Sequence, residues 1–461
     1  METNVTSKKI SLLSLVMITV VSVDSIRNLP AAAKFGEILI TFYILAAIFF
    51  LIPTALVSAE LAAKFKCSGG IYTWVKEAYG DKAALFAIWL QWIENVIWYP
   101  TIISFVVGAL AYVISPEIMY NKYYLAASIV VVFWLLTLLN LKGMTASATF
   151  SNFCSIAGLM LPMLLIIYLG FEWLIKGEEL AIKFTLKGLI PTFDSSQMWV
   201  SLTAIMLSFS GVEIATVHAN NVDNPQKKFP KALAYAALII LFTLILGSLS
   251  IAMVIPESQI NLITGIIQAF EIFFKTHGML WCLPIVAITL AIGATGTVSN
   301  WIIAPTKGLY FAAEDGNLPV IFKRKNANGS PTTLLYAQAA IVSIISLIFV
   351  LIPDVNQSYW ILTVIATQLY MLMYIIMFVT FLKLRKHDSN SKGYFRVPLG
   401  SIGAYITAFL GLTGCAVTFF ISFIPPEAVF YGSNLHYAIK LAIAIVLLAI
   451  PPFLFKKKQA V

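Results

Sequence analysis

Charged residues are scarce in this 461-residue sequence. Lys, Arg, Asp and Glu make up 11% of the chain and hydrophobic residues 60%, whereas soluble domains carry about 25% charged residues. The mean hydropathy is +0.90. This composition excludes a soluble globular protein, and ordinary Gly and Pro counts of 25 and 19 exclude a disordered or fibrous chain. The bilayer is therefore the expected solvent.

Cysteine is also rare, and the four cysteines lie far apart with no CxxC spacing. This spacing predicts neither a disulfide framework nor a metal site, and we expect no cofactor. The net charge of +9 is scattered between apolar segments instead of forming one basic face, so nucleic acid is not an expected partner. No nucleophile–base pair or HExxH spacing indicates an enzyme.

What the sequence does contain is long runs without charge, for example 143–171, 232–256 and 355–382. Runs of about 20 apolar residues are typical of membrane-spanning helices, and barrel strands are shorter and alternate in polarity. Charge clusters and Pro/Gly groups divide the sequence into twelve spans. The spans are 10–33, 38–60, 83–113, 123–141, 146–172, 198–221, 232–255, 279–304, 333–352, 359–382, 399–423 and 437–455.

The basic residues indicate the orientation of these spans. With a cytoplasmic N-terminus, most of the 30 Lys and Arg residues fall on cytoplasmic segments. Only six then lie outside: Lys34, Lys122, Lys176, Lys183, Lys187 and Lys275. The positive-inside rule therefore predicts a multi-pass protein of the bacterial inner membrane with both termini in the cytoplasm.

Two spans carry a polar interruption. The first holds Ser22-Val23-Asp24-Ser25-Ile26-Arg27, and the sixth holds Ser208-Phe209-Ser210-Gly211-Val212-Glu213. Interrupted helices at matching positions of two halves indicate a transporter site, because non-helical backbone at membrane depth survives where it lines a cavity. The sequence thus predicts one all-α transporter domain over 1–461. It would contain a 5+5 inverted repeat (10–172 and 198–382), with discontinuous helices 1 and 6 and two further helices over 399–455.

Each interruption offers backbone groups for a zwitterion. Free N–H groups at the start of a half-helix attract a carboxylate, and free C=O groups at the end of the other attract an ammonium group. An amino acid or amine is therefore the expected small-molecule substrate, and the lipid bilayer the other partner. The sequence indicates no oligomeric state. The expected substrate-binding residues are Val23, Asp24, Ser25, Ile26, Glu94, Ser208, Phe209, Ser210, Gly211 and Glu213.

Several of these residues have a structural alternative. Gly211 is also explained by tight helix packing. Asp24 and Arg27 are three residues apart and are able to neutralise each other on a helix. If Asp24, Glu94 and Glu213 faced the cavity they would favour a cationic amine, whereas Arg27 there would favour an acidic side chain.

Aromatic residues near the interruptions are candidates for closing the cavity. Phe209 lies directly in the sixth-span interruption, and Trp98, Tyr99 and Tyr370 are further possible gates. Most of the 61 aromatic residues must instead pack or anchor the protein in the interface.

Four ordered motifs resemble one known family. The stretch LSFSGVEIATVHANNVDNPQKKFPKAL from Leu207 resembles the sixth span and following loop of amino acid/polyamine/organocation permeases, especially bacterial glutamate/γ-aminobutyrate antiporters. Further similarity lies in GGIYTWVKEAYG from Gly69, GSLSIAMVIPESQINLITGIIQAF from Gly247 and SNWIIAPTKGLYFAAEDGNLP from Ser299. The resemblance implies an inverted-repeat fold, alternating access, and exchange of an amino acid for its decarboxylation product.

The first span departs from that family, because Ser22 to Arg27 stand where the superfamily has a Gly-rich break. Substrate identity is therefore not implied. We expect a secondary active antiporter that exchanges an amino acid for a related amino acid or amine. The alternatives are a proton- or sodium-coupled symporter and a non-transporting amino-acid sensor.

Overall fold

The computed structural model describes residues 11–65, 69–115, 117–118, 121–143, 154, 156–191, 196–214, 216, 222, 224–387, 394–426 and 433–455. These residues form helices and connecting segments, with no strand among them beyond isolated bridge residues, such as the pair Lys325 and Pro331. The helices of eight or more residues are α1 (Leu12–Val23), α2 (Leu39–Ala46), α3 (Ile52–Lys64), α4 (Ile71–Tyr79), α5 (Asp81–Ile114), α6 (Lys122–Leu141), α7 (Leu161–Lys176), α8 (Ser196–Ser208), α9 (Pro225–Val254), α10 (Gly265–Thr276), α11 (Leu283–Glu314), α12 (Thr332–Ser346), α13 (Val355–His387), α14 (Gly400–Ile421) and α15 (Asn434–Ala449).

Ten helices in the described residues are long and apolar enough to cross a membrane. They coincide with ten of the twelve predicted spans. The other two predicted spans, 198–221 and 437–455, correspond to the shorter apolar helices Leu202–Ile214 and Asn434–Ala449. The last span is shorter than predicted because Pro451 and Pro452 have no N–H to continue the helix, which ends at Ala449.

Several helices extend past the predicted spans. Residues Leu280–Glu314 form one apolar helical segment where the sequence predicts a span over 279–304. The prediction placed boundaries at charge clusters and Pro/Gly groups, but Pro305 lies within this helix and does not end it. Of the predicted fifth span, residues 146–153 and 155 lie outside the described residues.

Polar and apolar side chains have an arrangement suited to lipid. Large hydrophobic residues such as Leu135 and Ile443 are more than half exposed on the outside of the bundle, whereas Asp24, Arg27 and Glu94 are buried inside it. Lipid tails solvate the exposed apolar surface. The buried charges therefore mark the interior where function is expected.

Two long helices form the centre of the bundle. Helix α5 packs along α11 and α13, and each of α5 and α11 contains an internal proline, Pro100 and Pro305 respectively. A second group forms where α9 packs against α1, α3 and α7. The two groups meet around the interruption that follows α1.

Both ends of the bundle are tied by polar contacts. At the end where α3 and α13 terminate, the buried Arg385 guanidinium pairs with Glu60, which also accepts the N–H of Val397. Nearby, Tyr72 of α4 donates to Asp315 at 2.5 Å. Burial, and then the Asp315 carboxylate, raise the pKa of Tyr72, so its hydroxyl stays a donor.

At the opposite end, the Glu37 carboxylate accepts from the backbone and the hydroxyl of Thr185. The Lys34 ammonium donates to the carbonyl of Glu257 at 3.3 Å. These contacts join the start of the second span to the loops that follow α7 and α9. The bundle is thus closed by side-chain contacts at both ends.

Candidate functional site

The first helix is interrupted between Asp24 and Ser25. Helix α1 ends at Val23, both interruption residues have extended backbone, and a 3-10 turn begins at Ile26. Ser and Asp side chains compete with the backbone for hydrogen bonds and so favour such an end. The second half-helix presents its first N–H groups, which have no acceptor within the helix, to the interior.

The second interruption follows α8, which ends at Ser208. Gly211 has φ +105, a region that side chains rarely adopt, and an added Cβ would lie 2.7 Å from the Trp301 ring. The same Cβ position is 3.6 Å from the carbonyl oxygen of Ser22. Glycine is therefore required here both by its conformation and by the close approach of the Trp301 ring.

A small cavity lies where the interruptions meet. Its volume is about 30 Å³, enough for about two water molecules and too small for an amino acid. The lining comes from α1, its interruption, α5, α8, α11 and α13. The lining residues are Val21, Ser22, Val23, Asp24, Ser25, Arg27, Asn28, Glu94, Trp98, Leu207, Ser210, Thr297, Trp301 and Tyr370.

Asp24 has one carboxylate oxygen paired and one free. Oδ2 accepts a hydrogen bond from the Thr243 hydroxyl of α9 at 2.8 Å. Oδ1 is buried and has no hydrogen-bond partner among the described residues. A buried acceptor without a partner is costly, so a ligand donor at this atom would be strongly favoured.

Arg27 is 2% exposed and is not paired with Asp24. Its Nη1 donates to the Thr101 hydroxyl at 3.0 Å and to the Tyr359 hydroxyl at 2.8 Å. The guanidinium carbon lies 5.1 Å from the centre of the Trp98 ring, within cation–π distance. The mutual neutralisation of Asp24 and Arg27 that their spacing allows does not occur, because the chain leaves the α-helix between them.

Glu94 is the third charged residue of the cavity. It is 2% exposed, and its Oε2 accepts from the Asn95 amide at 2.9 Å. Trp98, one helical turn along α5, stacks near Trp301 with ring centres 5.6 Å apart. Glu94, Trp98 and Trp301 thus line the same cavity.

Glu213 is held by a separate network. Oε1 accepts from the Gln91 amide at 3.0 Å and the Tyr370 hydroxyl at 2.6 Å, and Oε2 accepts from the Tyr374 hydroxyl at 2.5 Å. The Tyr374 hydroxyl also accepts the N–H of Gly211 at 2.8 Å. The structure thus places Glu213 behind the cavity lining, where it fixes the second interruption to α5 and α13.

The other predicted residues divide between lining and core. Val23, Ser25, Ser210, Trp98 and Tyr370 line the cavity. Four others lie outside its lining: Ile26, Ser208, Phe209 and Tyr99. Ile26 is buried, and the Phe209 ring packs edge-on against Tyr43. The Ser208 hydroxyl donates to the Ala204 carbonyl, and the Tyr99 hydroxyl donates to the Trp301 carbonyl.

Several lining residues were not among the predicted site residues. Asn28 and Trp301 are the clearest cases, and Arg27 was treated as an open alternative. Asn28 follows the first interruption directly, and Trp301 lies in the SNWIIAP motif, so position relative to these motifs was the available signal. Neither residue is charged, and an apolar or amide side chain in a span attracts no notice.

Comparison with known proteins agrees with this architecture. The model of the amino acid permease family matches residues 10–448. An uncharacterized transporter of Legionella pneumophila is 39% identical over 99% of this chain and 98% of its own length. A glutamate/γ-aminobutyrate antiporter of Lactococcus lactis is 27% identical over 97% of this chain and 90% of its own length.

A probable agmatine/putrescine antiporter of Lactococcus lactis is 23% identical over 85% of this chain and 82% of its own length. The family match covers most of the chain, and permeases transport their substrates without chemically converting them. The helices, the interrupted site and these matches lead to one conclusion: the chain belongs to the amino acid permease family and is a multi-pass membrane transporter whose substrates are small molecules of the amino acid or amine class.

Proposed function

We propose that this transporter is an antiporter that exchanges an amino acid for a related amino acid or amine by alternating access. One observation carries the proposal: two helix interruptions meet at a small cavity in the bundle interior whose Asp24 and Arg27 side chains hold polar atoms that are unpaired among the described residues. An interior site whose charged side chains have unpaired polar atoms suits a carrier, which binds its substrate between two gates. A channel would need a continuous path instead.

The order of helices supports the 5+5 inverted repeat over 10–172 and 198–382. Each half has an interrupted helix, a long helix, a short helix with one buried apolar face (α4 or α10), a long proline-containing helix (α5 or α11) and two more helices. An odd number of spans per half inverts the second half. Helices α14 and α15 follow as the two additional spans of the single domain.

Two bodies are expected to move against each other. The first comprises spans 1, 2, 6 and 7, and the second comprises spans 3, 4, 8 and 9. Packing of α9 on α1 and α3, and of α11 on α5 and α6, supports this division. The contacts at the two ends of the bundle, such as that of Glu60 in the first body with Arg385 of span 10, then tie the first body to its surroundings and act as gates that open in turn.

The basic residues support an orientation with both termini in the cytoplasm of a bacterial inner-membrane protein. Segments that would lie outside carry only six Lys or Arg residues of the 30 in the chain. In this orientation the gate formed by Glu60 and Arg385 is cytoplasmic. The contact of Glu37 with Thr185 is extracellular.

Antiport is favoured over symport by the names of relatives, since the two Lactococcus lactis relatives are described as antiporters. The substrates in these two names differ. The first interruption of this chain also lacks the Gly-rich break of the superfamily, so the choice of substrate needs a direct test. A gradient of one substrate would supply the work for moving the other.

Reconstituted protein tests the proposal. Proteoliposomes loaded with glutamate, γ-aminobutyrate, alanine, arginine or putrescine are assayed for uptake of the labelled compounds, with empty vesicles as the control. We expect uptake that is faster into at least one loaded set and that survives collapse of proton and sodium gradients. Equal uptake by loaded and empty vesicles would refute exchange. Loss of uptake when one ion gradient is collapsed would indicate symport. Binding of a compound without saturable uptake would indicate a sensor.

A further inference from the structure

Arg27 uses only part of its hydrogen-bonding capacity. A guanidinium has five N–H donors, and the two on Nη1 are taken by Thr101 and Tyr359. The Nε and Nη2 atoms are buried and have no hydrogen-bond partner in the described residues. Three donors of one buried cation therefore remain unpaired.

The unpaired donors form one edge of the guanidinium. The Nε and Nη2 groups lie side by side, and this edge matches the two oxygens of a carboxylate in a bidentate pair. The rings of Trp98 and Tyr359 lie 5.1 Å and 5.9 Å from the guanidinium carbon. The hydroxyl contacts and the rings together restrict how the group can rotate, so the edge is fixed in advance.

A complementary acceptor lies three residues away. Asp24 lines the same cavity and has its own unpaired buried atom, Oδ1. The chain between Asp24 and Arg27 is the first interruption, which places an unpaired anion and an unpaired cation in one cavity. A molecule with both a carboxylate and an ammonium group satisfies both residues, whereas a diamine leaves Arg27 unpaired.

Glu94 adds a second carboxylate to this cavity. It does not remove the need for an anion at Arg27, because no ion pair joins Glu94 to Arg27 in the described part of the chain, and the guanidinium edge stays unpaired. The third charge instead gives the ammonium group an additional anionic neighbour.

We propose that Arg27 binds a carboxylate of the substrate through its Nε and Nη2 edge, with the substrate's ammonium group at Asp24. Both exchanged molecules then carry a carboxylate. This inference rests on the proposed exchange function and narrows its substrate class to zwitterionic or acidic amino acids. Amines without a carboxylate, including putrescine and agmatine, are excluded as good substrates.

The carboxylate contact is separable from the contacts that hold Arg27 in place. Thr101 on α5 and Tyr359 on α13 bind only Nη1. Variants that remove these hydroxyls loosen the orientation of the guanidinium but leave its Nε and Nη2 donors in place. Arg27→Gln removes the edge itself, and the exposed Arg324 supplies a matched control, Arg324→Gln.

The experiment compares each carboxylate with its uncharged amide. Glutamate, γ-aminobutyrate and alanine, their primary amides, and putrescine are tested as drivers of exchange in proteoliposomes. Their stabilisation of detergent-purified protein against heat measures binding without flux. For wild type and Arg324→Gln we expect at least one carboxylate to be preferred over its amide by about 100-fold or more, because the amide leaves buried donors unpaired. In Arg27→Gln this ratio should fall close to one.

Two further variants keep the proposal falsifiable if Arg27→Gln fails to fold. Arg27→Lys should reduce exchange of, and stabilisation by, the preferred carboxylate more than those of its amide, since an ammonium group cannot form the bidentate pair. Tyr359→Phe should slow exchange of all probes and keep the carboxylate-to-amide ratio.

The proposal is overturned if wild type uses putrescine as well as amino acids, or if Arg27→Gln and Arg27→Lys keep the wild-type ratio. If no probe is exchanged but carboxylates stabilise wild type and not Arg27→Gln, the exchange function fails and the role of Arg27 stands. If no probe is exchanged and none stabilises wild type, both proposals fail.

Discussion

Tyr374 and Glu213 are joined by a hydrogen bond of 2.5 Å, and the same tyrosine hydroxyl accepts the N–H of Gly211 at 2.8 Å. One hydroxyl thus satisfies a buried carboxylate and a buried backbone donor at the second interruption. The contact connects α13 to the residues that follow α8. It explains how an irregular turn is held in one conformation within the bundle.

Tyr374→Phe should therefore destabilise the protein. It leaves the Glu213 Oε2 and the Gly211 N–H unpaired, and each unsatisfied buried group costs about 1–3 kcal/mol. We expect a lower thermal midpoint in fluorescence-detected size-exclusion chromatography. Tyr405→Phe is the control, because Tyr405 is 59% exposed and its hydroxyl is not part of the buried Glu213 network. Equal midpoints for both variants would contradict the structural role of Tyr374.

Gly293→Ala should destabilise the bundle where α11 meets the fifth span. A Cβ at residue 293 would lie 2.4 Å from the backbone carbon of Gly158, and backbone cannot move aside as a side chain can. Overpacking of this kind costs about 1–3 kcal/mol. Gly308→Ala on the same helix is the matched control, since its added Cβ meets only the flexible end of Ile88. The thermal midpoint of the first variant should fall well below that of the second.

Asp24→Asn should change substrate preference more than the amount of folded protein. The amide can still accept from Thr243, but it presents a neutral group to the cavity in place of the unpaired Oδ1. We expect a higher KM for substrates with an ammonium group, measured by exchange in proteoliposomes. Thr243→Val removes the other contact of Asp24 and should have the smaller effect on preference. Unchanged preference and rate in Asp24→Asn would assign Asp24 a purely structural role.

Arg385→Met should lower the free energy of unfolding by about 3 kcal/mol, the lower end of the usual cost of breaking a buried pair, because the Glu60 carboxylate loses its paired cation while Arg396 and Lys64 still act on it. Lys76→Met breaks a pair with Asp315 whose side chains are 38% and 34% exposed, and should cost about 1 kcal/mol or less. The two variants are compared by thermal midpoint in detergent. If Lys76→Met were the more damaging, this end of the bundle would depend on α4 and not on the buried pair.

His277 should make stability depend on pH. A hydrogen bond to the Phe273 carbonyl and one to the Glu172 carboxylate raise the pKa of His277, against the nearby Lys176 ammonium. A raised folded-state pKa means that protonation stabilises the fold. The contribution is complete below the unfolded pKa of about 6.5 and is lost as the pH rises through the folded value.

The measurement is the thermal midpoint of wild type minus that of His277→Gln across pH 5 to pH 9. We expect a positive difference at the acid end that shrinks towards the alkaline end. A difference that grows with pH would show that neutral His277 is the stabilising form. Lys275→Gln, on the same segment, should give a difference with little pH dependence.

The spans could be predicted because each depends on local composition. Charge-free runs and proline positions are visible in the sequence, and the observed helices overlap the predicted spans. Some ends differ, as where one helix continues through Pro305 to Glu314 and the last helix ends at Ala449. The ionisable residues Asp24 and Glu94 were equally visible, since a charge within an apolar run is rare. Their role in binding substrate stays a prediction.

Side-chain direction could not be predicted at the irregular turns. Ser210 lines the cavity while its neighbours Phe209 and Gly211 do not, and no helical or strand period applies where the backbone is neither. The partners of Arg27 are 74 and 332 residues away in sequence. Spacing along the chain suggested a local pair with Asp24, and only tertiary packing decides against it.

The small size of the central cavity has a consequence for the cell's energy supply. About 30 Å³ holds about two water molecules, which cannot form a continuous file across a hydrocarbon core about 30 Å thick. Protons that move along chains of water are therefore not carried across the membrane by this cavity as the described residues form it. A carrier at rest in this form would not short-circuit an energised membrane at its central cavity.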